Sequence, residues 1–151
     1  PARAHRGLCS DRAVLHLCPG ETVQASAGEE PPDWTDPDEV QDWAVELEDD
    51  GAELIFVDVG GTDGDLEKIL PEVVTAAQSA ASTPLLLRCG NASALAAALR
   101  RVRGRCAAVL TDPSLRAVCK ANGAAVALPG ELPGALGFVE ADGARFSIFD
   151  A

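Results

Sequence analysis

The sequence predicts an α/β protein with a largely parallel sheet of about five β/α units and a C-terminal β-hairpin. Several short segments are almost wholly apolar, which is typical of strands covered on both faces in a parallel sheet. Amphipathic segments with helical spacing separate them, as β-α-β connections require. Near the end, Asp142-Gly143 lies between two strand-like segments and predicts a hairpin with a type I′ turn. The 151 residues suffice for a single domain, but a closed eight-stranded β/α barrel typically needs about 250.

The N-terminal part divides into two segments. Residues 1–12 are polar and basic, and we expect them to form a loose arm ahead of one α/β domain at 13–151. Residues 13–18 form an apolar run that Pro19-Gly20 ends, so we predict the first strand there.

An acidic helix is predicted next. Asp36 has a side chain suited to the N-cap, Pro37 fits the first helical position, and Glu39 fits a capping box. From Glu29 to Asp50 there are eleven acidic residues and no basic one. We interpret this acidity as the solvated face of the helix, which ends at Gly51.

The remaining elements alternate between the two types. Strands are predicted at residues 53–59, 84–88, 106–110 and 124–128. Helices are predicted from 66 to about 81, from 92 to about 103, and from 113 to about 121. The hairpin strands are predicted at 136–141 and 144–149.

Charge and cysteine content limit the classes of function. The net charge of −12 argues against binding to nucleic acid or to anionic membranes, which requires a basic surface. The longest apolar runs are far shorter than the ~20 residues of a membrane span, and we expect no signal peptide. The five cysteines include no C-x-x-C pair and indicate neither a zinc site nor a disulfide framework. A reducing, cytoplasmic location is the expectation.

Polar residues follow the predicted strands at their carboxyl ends, where parallel α/β proteins bind ligands. Asp58, Asn91 and Asp112 would together offer donors and acceptors to a small polar heterocycle, such as a pterin. Asn91 and Asp112 each precede a predicted helix, so N-capping alone would also explain them. Asp58 ends an apolar strand and needs a polar partner.

Other kinds of site are less well supported. The glycine-rich loop from Gly60 to Gly64 lacks the P-loop spacing, and Asp63 and Asp65 would repel a phosphate. Asp58, Asp63 and Asp65 could instead bind a divalent cation, although such short acidic loops are common on surfaces. No Ser/His/Asp or Cys/His arrangement is recognisable, so we assign no catalytic residue and no metal ligand.

The order of motifs resembles the pterin-binding β/α-barrel superfamily, in particular the dihydropteroate synthases. The resemblance covers residues 36–130, which leaves 131–151 as a hairpin extension. Its motifs, in chain order, are Asp36-Pro37, Gly51-Ala52-Glu53, Asp58-Val59-Gly60-Gly61, the strand start at Pro84, Thr111-Asp112 and the stretch NGAAVALPG from Asn122. The resemblance implies part of a TIM-type barrel, a tetrahydropterin as ligand or cofactor, and Asp58, Asn91 and Asp112 as its contacts.

Departures from the family pattern predict that this module is catalytically incomplete alone. Leu87-Arg88-Cys89 stands where the synthases have a strand ending in a pterin-contacting Asp, and the family's later strands are missing. The stretch from Pro84 to Asn91 is closer to the barrel of corrinoid iron–sulfur protein subunits, which serve methyl transfer. We therefore expect a pterin-binding-like module of one-carbon, folate or corrinoid metabolism.

Two alternatives remain open. One is a non-catalytic assembly or interaction subunit on a degenerate α/β scaffold. The other is a receiver-like domain with Asp58 as phospho-acceptor, because residues 54–64 also resemble the phospho-acceptor strand of response regulators. Five β/α units would leave an open sheet, whose edges require cover by the hairpin, a second copy or another subunit. A homo-oligomer or a partner subunit is therefore expected.

Overall fold

The computed structural model describes residues 22–104 and 106–151. The strands are β1 (Thr22–Ser26), β2 (Leu54–Asp58), β3 (Leu85–Arg88), β4 (Cys106–Val109), β5 (Ala125–Pro129), β6 (Gly137–Ala141) and β7 (Ala144–Phe149). The helices are α1 (Pro37–Asp49), α2 (Leu66–Ala80), α3 (Ala92–Leu99) and α4 (Leu115–Ala121).

The sheet is a closed barrel with the strand order β1-β2-β3-β4-β5-β7-β6. Strands β1 to β5 are parallel neighbours in sequence order. Strand β7 pairs antiparallel with β5, and β6 pairs antiparallel with β7 and parallel with β1. The predicted α/β class, parallel sheet and C-terminal hairpin are confirmed. Of the three ways in which the sheet edges could be covered, the structure has the hairpin, which bridges β5 to β1 and leaves no free edge.

Side chains alternate between the inside and the outside of the barrel. On β1, Val23 and Ala25 are buried while Gln24 is exposed, so Val23 and Ala25 point inward. Val23 is paired with Val139 of β6, and Val139 with Phe146 of β7, and all three are buried. The hairpin therefore contributes to the same apolar interior as the parallel strands.

Helix α1 begins as the sequence predicts, but one capping contact differs. The Asp36 side chain accepts hydrogen bonds from the backbone N–H groups of Asp38, at 3.0 Å, and Glu39, at 3.4 Å. The Glu39 side chain accepts from the backbone N–H of Asp33 instead of closing a capping box on Asp36. Gly51, with φ of +91°, follows the C-cap and ends the helix as expected.

Two helix boundaries differ from the prediction. Helix α3 ends at Leu99 rather than near residue 103, because the backbone tightens into turns in which Arg101 bonds to Ala98 and Val102 to Leu99. These turns still pack Val102 against the core. Helix α4 begins at Leu115, after a turn that the prediction had included in the helix.

The first strand of the barrel, β1, was not predicted. Its sequence Thr-Val-Gln-Ala-Ser supplies only two apolar inward side chains, so it lacks the continuous apolar run of the other parallel strands. The strand predicted at residues 13–18 and the arm predicted at 1–12 lie outside the described residues. Within the described part of the chain, no helix is long and apolar enough to cross a membrane.

Candidate ligand-binding site at the carboxyl end of the barrel

The carboxyl ends of the parallel strands bring two opposite charges side by side. Asp58 is the last residue of β2 and Arg88 the last of β3, and the two stand opposite each other in the strand register. Paired residues of neighbouring strands lie about 4.8 Å apart at the backbone. Because Asp58 is in phase with the inward-facing Leu54, which pairs with Ala25, both charged residues belong to the inner face at the barrel mouth.

The Asp58 carboxylate has one partner in the backbone. It is half-buried, and its Oδ1 accepts a hydrogen bond of 2.9 Å from the Gly60 N–H. A Cβ atom at position 60 would lie 3.0 Å from this oxygen, so glycine permits the close turn. Within the described part of the chain, the second oxygen of Asp58 accepts no hydrogen bond. One oxygen of the Asp58 carboxylate thus has the polar partner that the sequence analysis expected. The other oxygen can accept a hydrogen bond from a ligand.

Asn91 caps helix α3, as the alternative interpretation of its position predicted. Its Oδ1 accepts a hydrogen bond of 3.0 Å from the Ala94 N–H, and the residue is exposed. Its amide nitrogen makes no hydrogen bond with the described residues. Capping uses the side-chain oxygen of Asn91. The side-chain NH₂ group, at the end of β3, stays available to donate hydrogen bonds to a ligand.

Asp112 performs a related role before α4. Its Oδ1 accepts a hydrogen bond of 2.8 Å from the backbone N–H of Ser114, which lowers the pKa of the exposed Asp112 carboxyl. The N-cap residue itself is Ser114, so Asp112 holds the preceding turn rather than the first residue of the helix. The β3–α3 and β4–α4 loops approach each other here, since a Cβ at Gly90 would lie 3.9 Å from Thr111 Oγ1.

Arg88 is the residue that the sequence analysis did not select. It is exposed and forms no ion pair with Asp58, although the two are paired in register. The alternation of side chains along each strand could have identified Arg88 from the sequence. Every second residue of a strand faces the barrel interior, and on this pattern Asp58 and Arg88 both belong to the inner face. Asp58, Arg88 and Asn91 thus lie at neighbouring strand ends, while Asp112 is one strand further from Asp58.

Two cavities are lined by described residues, and neither lining includes Asp58, Arg88, Asn91 or Asp112. One, of about 750 Å³, runs along α1, and the other, of about 250 Å³, lies at the hairpin turn around Asp142 and Gly143. The described residues contain no group of three or more His, Cys, Asp or Glu side chains arranged to hold a metal ion. The three cysteines Cys89, Cys106 and Cys119 are buried and free. Burial raises the pKa of the Cys119 thiol to about 11.

Neither a scan against protein-family models nor a search of the curated proteins finds a match for the chain. The assignment of a function therefore depends on the motifs and on the geometry of the barrel mouth.

Proposed function

We propose that the carboxyl end of the barrel binds a small polar heterocycle of the pterin class, as a module of one-carbon, folate or corrinoid metabolism. The observation that carries the proposal is the register pair Asp58 and Arg88 at the mouth of the barrel. The support from the sequence is the Asp58-Val59-Gly60-Gly61 motif and the order of the motifs around it.

The chemistry of the pair suits one edge of a pterin. A carboxylate only accepts hydrogen bonds, and a guanidinium only donates them. The pyrimidine edge of a pterin has N–H donors adjacent to a carbonyl acceptor. The donors would bind the unsatisfied oxygen of Asp58 and the carbonyl would bind Arg88, so a single ring would join two groups that do not pair with each other.

Asn91 and Asp112 would extend the contact beyond this pair. Each uses one oxygen to bind the backbone of its own loop, which fixes the side chain before any ligand arrives. The amide nitrogen of Asn91 and the second carboxylate oxygen of Asp112 would then face the ligand as donor and acceptor. Binding to the backbone of the residue's own loop and contact with a ligand are compatible roles for Asn91 and Asp112.

The proposal is one of binding and not of catalysis. The strand ends of the described barrel carry no recognisable nucleophile with a base, and the strands beyond residue 130 differ from the synthase pattern. A second protein would supply the remaining groups of a methyl- or pterin-transfer reaction.

An assembly or interaction subunit is the second candidate. The observation that favours it is the groove along α1, whose lining includes none of Asp58, Arg88, Asn91 and Asp112. Closure of the barrel removes the sheet edges as the reason for a partner, so an oligomer or a partner subunit would use another surface. The receiver-like alternative is disfavoured, because receivers have an open sheet with the first strand in its interior.

Calorimetric titration with 6-methyltetrahydropterin tests the proposal. We expect saturable binding by the wild-type chain, and weaker binding by Asp58→Asn and Arg88→Gln. Loss of one hydrogen bond to a charged group removes about 1.5–3 kcal/mol, which weakens the Kd roughly 10- to 100-fold.

Matched controls separate binding from general effects of charge. Asp49→Asn at the other end of α1 and Arg100→Gln after α3 make the same chemical changes at exposed positions away from the mouth. They should bind as the wild type does. Absence of heat and of any thermal shift at millimolar ligand would overturn the proposal.

A further inference from the structure

The connection between α3 and β4 concentrates positive charge at the amino end of the barrel. Arg100, Arg101 and Arg103 follow one another closely at the end of α3, and all three are exposed. They belong to a chain whose net charge is −12. Within the described part of the chain, no carboxylate forms an ion pair with any of them. We call these three residues the arginine turn.

Hydrogen bonds to α2 hold the arginine turn in place. Gln78 Nε2 donates to the Arg103 carbonyl at 2.9 Å, and Gln78 Oε1 accepts from the Arg103 N–H at 2.9 Å. Arg101 Nη1 donates to Thr75 Oγ1 at 3.2 Å. A backbone that is already fixed loses less conformational entropy when a partner binds, so the arginine turn is preorganised for contact with another molecule.

The last two turns of α1 have the opposite charge. Glu46, Asp49 and Asp50 are exposed, and the last turn of the helix has no basic residue. The helix dipole puts partial negative charge at a helix C-terminus, so carboxylates there destabilise the helix unless cations lie nearby. No described lysine or arginine forms an ion pair with these three residues, which we call the acidic end of α1.

The arginine turn and the acidic end of α1 lie at the same level of the barrel. Helix α1 leads into β2 and α3 leads into β4, so both helices end where the parallel strands begin. Helix α2 lies between them and contacts both. The two charged surfaces therefore flank α2, at the end of the barrel opposite the candidate ligand site.

We propose that two copies of this chain associate through α1, α2 and α3, with the arginine turn of each copy on the acidic end of α1 of the other. A two-fold axis parallel to α2 brings α3 of one copy opposite α1 of the second and keeps their C-terminal ends level. The same contact then occurs twice, as in every isologous interface. The planar guanidinium group of arginine matches the geometry of a carboxylate, so each contact can form paired hydrogen bonds.

The net charge of the chain does not prevent this association. At an ionic strength of 0.1 M the Debye length is about 10 Å, so charges far from the contact are largely screened. The groups that face each other across the interface therefore determine the sign of the interaction, and these groups have opposite charges.

The exposed face of α2 allows close approach at the centre of the contact. Its exposed stripe consists of Lys68, Glu72, Thr75 and Ser79, of which only the small, uncharged Thr75 and Ser79 lie toward the amino end of the barrel. Val45, which is 38% exposed, adds apolar surface in the same half of α1. Three helices about 10 Å apart offer roughly 500 Å² per copy, near the lower limit for a specific interface, so we expect a reversible dimer.

Sedimentation velocity of the full chain, from micromolar to millimolar concentration, tests the proposal. We expect the wild-type chain to dimerise with increasing concentration. Reversal of either charged surface should raise the dimer Kd at least roughly tenfold, because both contacts become repulsive. The two reversed variants are Arg100→Glu with Arg101→Glu and Arg103→Glu, and Glu46→Lys with Asp49→Lys and Asp50→Lys.

Reversal of charge on α4 is the matched control. Arg116→Glu with Lys120→Glu also makes the chain more negative, at exposed positions outside the three-helix face. This variant should dimerise as the wild type does. An equal loss of dimer in the control would show that net charge alone decides association, and the proposal would be overturned.

Mixing the two reversed variants is the decisive measurement. In their heterodimer the new glutamates of one copy meet the new lysines of the other, and the second contact has the native charges on both sides. The mixture should therefore dimerise as the wild type does, although each variant alone stays monomeric; misfolded variants could not show this rescue. A monomeric wild-type chain at millimolar concentration, reversed variants that dimerise as the wild type does, or a mixture that stays monomeric would each overturn the proposal.

Discussion

Closure of the barrel by the hairpin is tested by truncating Ile148. This residue of β7 is fully buried and faces the barrel interior, where it stands opposite Gly137 on β6 and Ala127 on β5. Ile148→Ala removes three carbon atoms, worth about 2.4 kcal/mol of transfer free energy at ~0.8 kcal/mol per methylene. Because both paired neighbours are small, they cannot fill the space, so a cavity cost is added. We expect the free energy of unfolding to fall by about 3–4 kcal/mol.

Urea unfolding followed by circular dichroism measures this loss. Leu86→Ala is the matched variant, since Leu86 is equally buried and belongs to β3 in the parallel part of the wall. The two substitutions should cost the same within about 1 kcal/mol. Val45→Ala, at a position that is 38% exposed, should stay within about 0.5 kcal/mol of the wild type.

The reasoning would be refuted if Ile148→Ala lowered the free energy of unfolding by less than about 1 kcal/mol while Leu86→Ala lowered it by the expected ~3–4 kcal/mol. The same conclusion would follow from a separate early transition at low urea, because the hairpin would then unfold on its own. The hairpin would in that case be an appendage, and the sheet would be open between β5 and β1.

Two further predictions concern the turn of the hairpin and the stability in acid. Gly143→Ala should lower the free energy of unfolding by about 1 kcal/mol, because Gly143 has a φ of +74°, which an L residue adopts with strain. No atom lies within 4 Å of the Cβ position, so a steric clash adds nothing to this cost. An unchanged urea midpoint would contradict the argument from backbone strain. The Thr83 hydroxyl, at 2.6 Å, and the backbone N–H groups of Thr83 and Ser82, both at 2.8 Å, bind Glu48 and lower its pKa. Stabilisation by Glu48 is therefore present above the ordinary pKa of 4.5 and is lost as the pH falls through the lower folded-state pKa. Glu48→Gln should thus be less stable than the wild type at neutral pH and approach it in acid, and an equal difference at both pH values in urea titrations would contradict this.

The sequence predicts those parts of the fold that depend on local signals. The start of α1 at Pro37 and the hairpin turn at Asp142-Gly143 are set by the preferences of the residues themselves, and both are confirmed. The continuous apolar runs of the parallel strands predicted their burial correctly, because these strands are covered on both faces.

Features that depend on long-range packing could not be predicted in this way. Strand β1 was missed because its outer face has polar side chains, so only Val23 and Ala25 mark it as a strand. The sequence left open what covers the sheet edges, because the parallel pairing of β6 with β1 joins residues more than a hundred positions apart. The capping role of Asn91 was predicted from its neighbours and is confirmed, whereas Asp112 stabilises the turn before α4, whose N-cap is Ser114. The pairing of Asp58 with Arg88 depends on the register between two strands.

The central claim is that the carboxyl end of this barrel is a ligand site, and amide chemical-shift mapping tests it most directly. A ¹⁵N-labelled sample is titrated with 6-methyltetrahydropterin while the backbone amide signals are followed. We predict saturable shifts at Gly60, Gly61, Arg88 and Asn91, with the signals of α1 unchanged. Shifts confined to the groove along α1, or no shifts at millimolar ligand, would contradict the claim.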